Sequence, residues 1–555
     1  MKHFFKPLVL ALGLTFLVFA CDGAYDSLVN TQEENNPMPS IGGDSGNADF
    51  SKLVTIGNSL TAGFKDGALY NFAQQNSLGA QLARQMSFAG GSSTFNQPDI
   101  NSVNGFNSAA SNLGQGIILG RFKLDPTIPG PSPVIGGELP TAFGGDRAAL
   151  NNFGVPGIQV GQLLVPDTGN PNSPLFNPLY ARFASNPGVS TILGDAIAAN
   201  PSFFTLWIGN NDVLGFALSG ASNPAILTSP ADFTTRFTTV INQLMANTDA
   251  KGLVADIPAL LFAPYFRAVP YNAVNFTQND AAQVQQLNAA FSGFNMALAG
   301  LAGNGLITND EVNRRKVQYV VGSNPVLIHD PGLEDLGPKF DMLVQAGAIS
   351  AEQRAALQPY VQARPMTVSQ TTGPEILLLN AAQVLGRPAD PSNPLSIVGV
   401  VVPLANQFHL TSAQIVQIET ARQTFNAIIS NVVQAANGSG QPRLALYRTN
   451  VASSSFAKIW GLDGSSIGIR IGGATLLPDF SPNGVFSTDG IHPNSRGVAI
   501  VVNDMIDVIN STFNSSIPEI NVLSLPGVQL CAGDCVSQQG VVMSMGIDFS
   551  HIPLN

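Results

Sequence analysis

Four short apolar runs punctuate the chain, three of them closing on Gly or Pro. They are Phe50-Ser-Lys-Leu-Val-Thr-Ile-Gly57, Phe203-Phe-Thr-Leu-Trp-Ile-Gly209, Gly252-Leu-Val-Ala-Asp-Ile-Pro258 and Arg443-Leu-Ala-Leu-Tyr447. Runs of this length that are apolar rather than alternating predict strands buried on both faces, as in a parallel sheet. Between them the period changes to that of a helix. Val284, Leu287, Phe291, Phe294 and Leu298 fall on one helical face, as do Ile415, Ile418, Phe425, Ile428 and Val432. The second of these follows Thr411-Ser-Ala-Gln414, a candidate capping box. A third apolar helical pattern, Val498, Ile500, Val501, Met505 and Ile506, follows Pro493. Strands alternating with helices predict an α/β fold of three layers, α/β/α, with a mostly parallel central sheet. In such a sheet the functional loops lie at the C-terminal ends of the strands.

This pattern places one large domain over residues 49–515. Two stretches read as insertions in it: residues 66–148, rich in Gly, Pro, Asn and Ser, and residues 300–440, which hold further helices, one of them starting at a Ser350-to-Gln353 capping pattern. Residues 516–555 form a loop-rich tail. At the other end, residues 1–20 combine a basic start with a short apolar run, the pattern of a secretory signal and shorter than the alternative of a membrane-anchoring helix requires. The run ends in Val18-Phe19-Ala20-Cys21, which resembles a bacterial lipobox. That resemblance implies cleavage before Cys21, its lipidation, and an exported lipoprotein of the bacterial cell envelope, at the outer membrane or cell surface. Phe19 is bulkier than the residue usual at its position, and a simple secreted protein is the alternative. Residues 21–48 then act as a lipidated, flexible tether.

Composition narrows the function classes. Only 11% of the 555 residues are charged, with 55 Gly and 38 Pro, while 45% are hydrophobic. This is a folded chain with long turn-rich connections. The formal charge is −11, and losing Lys2 and Lys6 with the leader leaves 23 basic against 36 acidic residues, or −13. An acidic chain with no Lys/Arg cluster has no electrostatic footprint for nucleic acid. It also has little attraction to anionic membrane surfaces, so any membrane association is expected through the lipid alone. Cys531 and Cys535, in Leu-Cys-Ala-Gly-Asp-Cys-Val, favour a local disulfide in an oxidising compartment over free thiols or a zinc site.

Candidate chemistry lies at two places far apart in the chain. Gly57-Asn-Ser59-Leu-Thr-Ala-Gly63 puts a serine just past the first strand, where a helix begins and negative charge is welcome. By itself the segment equally describes a tight turn with an N-cap serine. Asp489-Gly-Ile-His492-Pro493, before the last helical pattern, sets a carboxylate three residues from an imidazole that it can orient as a base. An acid capping a turn beside a surface histidine would look the same.

Together with two segments between them, these resemble the sequence blocks of the SGNH (GDSL-like) hydrolases, in order. Ile56-Gly-Asn-Ser-Leu-Thr-Ala-Gly63 resembles the first block, Asn152-Phe-Gly-Val-Pro-Gly157 the second, Trp207-Ile-Gly-Asn-Asn-Asp212 the third and Asp489-Gly-Ile-His-Pro493 the last. The resemblance implies a flavodoxin-like α/β/α sandwich and a serine esterase of lipase or carboxylesterase type. Ser59 would be the nucleophile, His492 the base and Asp489 its orienting acid, with the amides of Ser59 and Gly157 and the Asn211 carboxamide as oxyanion donors. Asn58 replaces the family's usual Asp, and makes similar turn hydrogen bonds. The partner implied is an acyl ester, with no metal and no organic cofactor. His329, His409 and His551 form no metal motif, and His329-Asp330 is a rival base lacking the Pro-helix context. Activity is expected to rise as His492 deprotonates. The fold does not choose among lipids, acetylated sugars and small esters. Phe176, Leu179, Phe183, Leu260, Leu261, Phe262 and Phe266 are candidates for core or for an acyl groove. A non-catalytic surface lipoprotein that uses the same scaffold for binding or envelope assembly is the competing expectation.

Overall fold

A computed structural model describes residues 42–127 and 130–536. The expected signal segment, Cys21, most of the tether, the end of the tail and His551 lie outside the described residues. The principal elements follow in chain order. Strand β1 (Leu53–Gly57) runs into a single helical turn, α1 (Ser59–Ala62), and then α2 (Leu78–Met86). After β2 (Asn152–Gly154) come α3 (Ile192–Ala198), β3 (Phe203–Trp207), α4 (Asn211–Leu218), α5 (Pro230–Asn247) and β4 (Lys251–Ala255). Helices α6 (Ala281–Gly303) and α7 (Ser412–Asn437), strand β5 (Leu444–Tyr447) and α8 (Ser495–Phe513) complete the set.

The five strands form one parallel sheet in the order β5-β4-β3-β1-β2. All four predicted runs are strands in it. The fifth, β2, has three residues and no apolar run, so it reads as a turn until β1 pairs with it, Ile56 opposite Phe153. Side chains alternate between faces. Val54, Ile56, Phe204, Leu206, Val254 and Leu444 pack on one side with α5 and α7, where the Phe233 and Phe425 rings stack 4.1 Å apart. Leu53, Phe203, Trp207, Leu253, Ala255 and Tyr447 pack on the other with α2 and α8. Burial on both faces is why these runs are mostly apolar rather than alternating.

Three sequence expectations shift. The first insertion is smaller than 66–148. Leu78, Leu82 and Met86 of α2 bury on the sheet at helical spacing, so this segment belongs to the sandwich. The addition proper includes an antiparallel hairpin, Leu119–Asp125 with Gly130–Ile135. The second insertion starts before residue 300. Phe291, Phe294 and Leu298 of α6 pack with Tyr319, Leu327, Phe340 and Ala363 in a core of their own, away from the sheet. An apolar stripe shows that a face is buried, and leaves open against what. In α7 the buried stripe is Ile415, Ile418, Arg422, Phe425, Ile429 and Val433, with Ile428 and Val432 half-buried, because the true 3.6-residue period drifts past a stripe chosen in whole steps.

Part of the tail is ordered against the hairpin. The Leu124 amide donates to the Gln529 carbonyl and the Ile135 amide to that of Asp534. In the same stretch Cys531 and Cys535 are joined by a disulfide.

Candidate active site

Chain order 1 and 3 in neighbouring positions makes the β1–β3 boundary the point where the sheet's connections reverse direction, which opens a crevice at the strands' C-terminal ends. The loops that follow β1 and β3 start there. At the end of β1, Gly57 lies so close to β3 that an added Cβ would sit 2.4 Å from the Trp207 carbonyl oxygen. Asn58 then turns the chain, its Oδ1 accepting from the Leu60 amide at 3.1 Å and starting α1. Asn58 is thus the cap of α1. Ser59 is the first residue of that helix, held at the rim of the sheet.

The other half of the site is built by residues 487–494. Gly490 occupies the left-handed region (φ 74°) and lets the chain fold back, so that the Ser487 amide donates to the His492 carbonyl. Asp489 Oδ1 accepts the amides of Ile491 and His492, both at 2.9 Å. Its Oδ2 lies 2.9 Å from His492 Nδ1. With Nδ1 carrying the proton toward that carboxylate, Nε2 is free to accept, and Ser59 Oγ sits 2.9 Å from it. Asn494 caps α8 directly behind, accepting the amides of Arg496 and Gly497. The ring of Phe64 packs edge-on against His492 with centroids 5.2 Å apart. Ser59, Asp489 and His492 are all buried. Burial by itself raises the Asp489 carboxyl, but the charge and hydrogen bond of His492 and the two amides outweigh it and hold the group below the usual carboxylate range. The acid therefore stays ionised and keeps the ring oriented.

Of the expected oxyanion donors, Asn211 sits in the same pocket as this relay. Asn211 opens α4 and lines the same pocket as Ser59 and His492. One hydrogen of its carboxamide goes to the Ile158 carbonyl at 2.9 Å, which fixes the group in place. Gly157, the residue before Ile158, follows β2, so the loop that holds the Asn211 carboxamide also carries the other expected donor. Asp212 ties these pieces together. Fully buried, it accepts from the Val160 amide at 3.0 Å and from Thr228 Oγ1 at 2.8 Å, and burial, opposed by those bonds, pushes its carboxyl up to about 6.

A supporting group escaped the sequence reading. The loop Lys65-Asp66-Gly67, immediately after α1, grips the segment just before the acid. Asp66 Oδ1 accepts from the Thr488 amide (3.0 Å) and hydroxyl (2.8 Å), Asp66 Oδ2 from the Tyr70 hydroxyl (2.6 Å), and the Gly67 amide donates to Asp489 Oδ2 (3.1 Å). Lys65 is buried beside them. Its ammonium, pushed down to about 8 by burial against the pull of Asp66, donates to Ser495 Oγ. Two adjacent charges in a charge-poor chain, just after the serine helix, are the signal that could have found it.

The remaining candidates lie elsewhere. His329 belongs to the second insertion, where its carbonyl meets His409 Nε2, and the Asp330 carboxylate is committed to Arg364 at 2.7 Å. Among the described residues no cluster of three or more His, Cys, Asp or Glu is placed to hold a metal ion. Leu179, Phe183, Leu261 and Phe266 are core, while Leu260 reaches the pocket.

Compared with known families, residues 53–302 match the model described as GDSL-like Lipase/Acylhydrolase. The match takes in Ser59, Gly157 and Asn211 and stops short of Asp489 and His492. No curated protein matches the chain, and no solved structure does.

Proposed function

We propose, from the premise that residues 53–302 form a GDSL-like lipase/acylhydrolase domain of the SGNH superfamily, that this protein hydrolyses carboxylic esters through Ser59, His492 and Asp489. The observation that carries the reading is the unbroken run of hydrogen bonds from Ser59 Oγ to His492 to Asp489, each 2.9 Å, across more than four hundred positions of sequence. His492 Nε2 takes the serine proton as Oγ attacks the ester carbonyl, and the ionised Asp489 stabilises the imidazolium that forms. The developing oxyanion is met by the amides of Ser59 and Gly157 and by the second carboxamide hydrogen of Asn211, each donor worth about 3–4 kcal/mol of barrier. His492 then gives its proton to the leaving alcohol, and the same ring activates a water that releases the acid from the acyl-serine.

The same reading has the chain exported and held to the cell envelope by lipid on Cys21. The residues around Cys21 support it, as does the Cys531–Cys535 disulfide, a bond that persists in oxidising compartments.

The test is hydrolysis of short- and medium-chain nitrophenyl esters by the chain from residue 22 onward beside Ser59→Ala. The wild type is expected to turn over and the variant to lose at least a thousandfold in kcat. Equal rates would replace this reading with a scaffold used for binding.

A further inference from the structure

The pocket at Ser59, about 480 Å³ and open to solvent, has two ends of opposite chemistry. Its polar groups, Asn58, Ser59, His492, Asn210 and Asn211, gather where the reaction would occur. The rest is walled by Leu214, Leu260, Ala263, Phe456, Trp460 and Phe486, and no Lys, Arg, Asp or Glu lines it. The aromatic wall is packed as a unit. Phe456 and Trp460 lie 5.1 Å apart and Trp460 and Phe486 6.2 Å, at shallow interplanar angles, while Phe262 backs Trp460 at 5.8 Å. A preformed, largely apolar pocket with polar groups at one end is the form of a site for a ligand with one polar terminus. A sugar would need hydrogen-bond partners along its length. The one polar side-chain atom of these wall residues, the indole nitrogen of Trp460, is buried and without a partner.

The wall is also tied to the chemistry by the chain itself. Phe456 and Trp460 lie between β5 and the histidine loop, Phe486 is three residues before Asp489, and Ile491 and Pro493, which flank His492, line the same pocket. None of these residues falls in the segment 53–302 that matches the family model.

We propose that this pocket is the acyl subsite and that the substrates are esters of unbranched, medium-length apolar acids, with Trp460 and Phe486 as specificity-determining residues. This rests on the hydrolase reading above and adds the substrate class to it. Each methylene taken from water into such a wall raises kcat/KM roughly fourfold. Six methylenes separate octanoyl from acetyl, so their discrimination is on the order of several thousandfold when all six are buried.

Two measurements separate the claims. The first is kcat/KM for acetyl, butanoyl, octanoyl and palmitoyl nitrophenyl esters. It is expected to peak at octanoyl, and the octanoyl-to-acetyl ratio is expected to fall tenfold or more in Trp460→Ala and in Ala263→Phe, which fills the pocket. The second needs no turnover. The chain has two tryptophans, and Trp207 is sealed beneath the sheet, so octanoate binding to Ser59→Ala is expected to change the fluorescence of Trp460 alone. That change should be saturable and absent in Trp460→Phe. Ser59-dependent hydrolysis with no chain-length preference, or with acetyl preferred, overturns the acyl subsite and leaves the esterase. Octanoate binding at Trp460 without hydrolysis of any ester overturns the esterase and keeps the subsite. No fluorescence change combined with no hydrolysis removes both.

Discussion

Asp66 is the residue whose removal tests most directly whether the site depends on its supporting loop. It lies outside the pocket, and its backbone sits in the left-handed region at φ 56°, which Asp and Asn tolerate and other side chains resist. Its carboxylate accepts three hydrogen bonds, two of them from Thr488, the residue next to Asp489. In Asp66→Ala the buried Thr488 amide loses its partner, at a cost of about 1–3 kcal/mol, and the left-handed backbone adds about 1 kcal/mol. The Thr488 hydroxyl retains the Phe122 carbonyl at 3.2 Å. A stability loss of about 3 kcal/mol follows, read as a shift in the urea midpoint. The catalytic effect is separate. With residues 487–489 no longer gripped, His492 swings relative to Ser59, and a displacement near 1 Å costs about a hundredfold in rate. Asp66→Asn keeps the backbone shape and can still accept from Thr488, but it loses the charge, and a tenfold loss or less is expected. Both losses should fall on kcat, with KM nearly unchanged, because Asp66 does not touch substrate. Wild-type kcat in Asp66→Ala, together with the predicted loss of stability, would refute the idea that this loop positions the acid.

Two further outcomes follow from other parts of the molecule. His409, buried in the second insertion against Arg364, Asp330 and Glu375, is pushed down to about 4, chiefly by burial, whereas the unfolded chain titrates near 6.5. The folded state thus binds fewer protons in that window, so this contribution is complete above pH 6.5 and is lost as pH falls toward 4, by roughly 3 kcal/mol. Urea midpoints of the wild type and His409→Gln should diverge from each other between pH 7 and pH 4.5, and parallel curves would contradict the assignment. For the anchor, the full chain expressed in a bacterium that processes lipoproteins should incorporate labelled palmitate and partition with membranes, and Cys21→Ser should do neither. Equal labelling of the two would remove the anchor from the proposal.

Much of the sandwich was readable before any coordinates, for a physical reason. A strand covered on both faces is apolar at most of its positions, and β1, β3, β4 and β5 are, with Thr55 and Thr205 the polar exceptions inside the sheet and Lys251 at its edge. The segments around Ser59 and His492 were legible too, because close backbone approach, a cap and an oriented ring each demand particular residues at fixed local spacing. Strand β2 was not, since three residues carry no periodicity. Helix α2 was lost among Gly- and Ser-rich flanks, and α6 showed an apolar stripe without naming its partner.

Local sequence, then, determined which residues could do chemistry and which runs must be buried, because both are properties of a few neighbouring side chains. Tertiary structure alone decided that Ser59 and His492 meet, that Asp66 grips Thr488 from the far end of the chain, and that Phe456, Trp460 and Phe486 wall the pocket. Those contacts join segments hundreds of residues apart. Their free energy comes from packing the whole sheet and its two helical layers, and no local pattern records it.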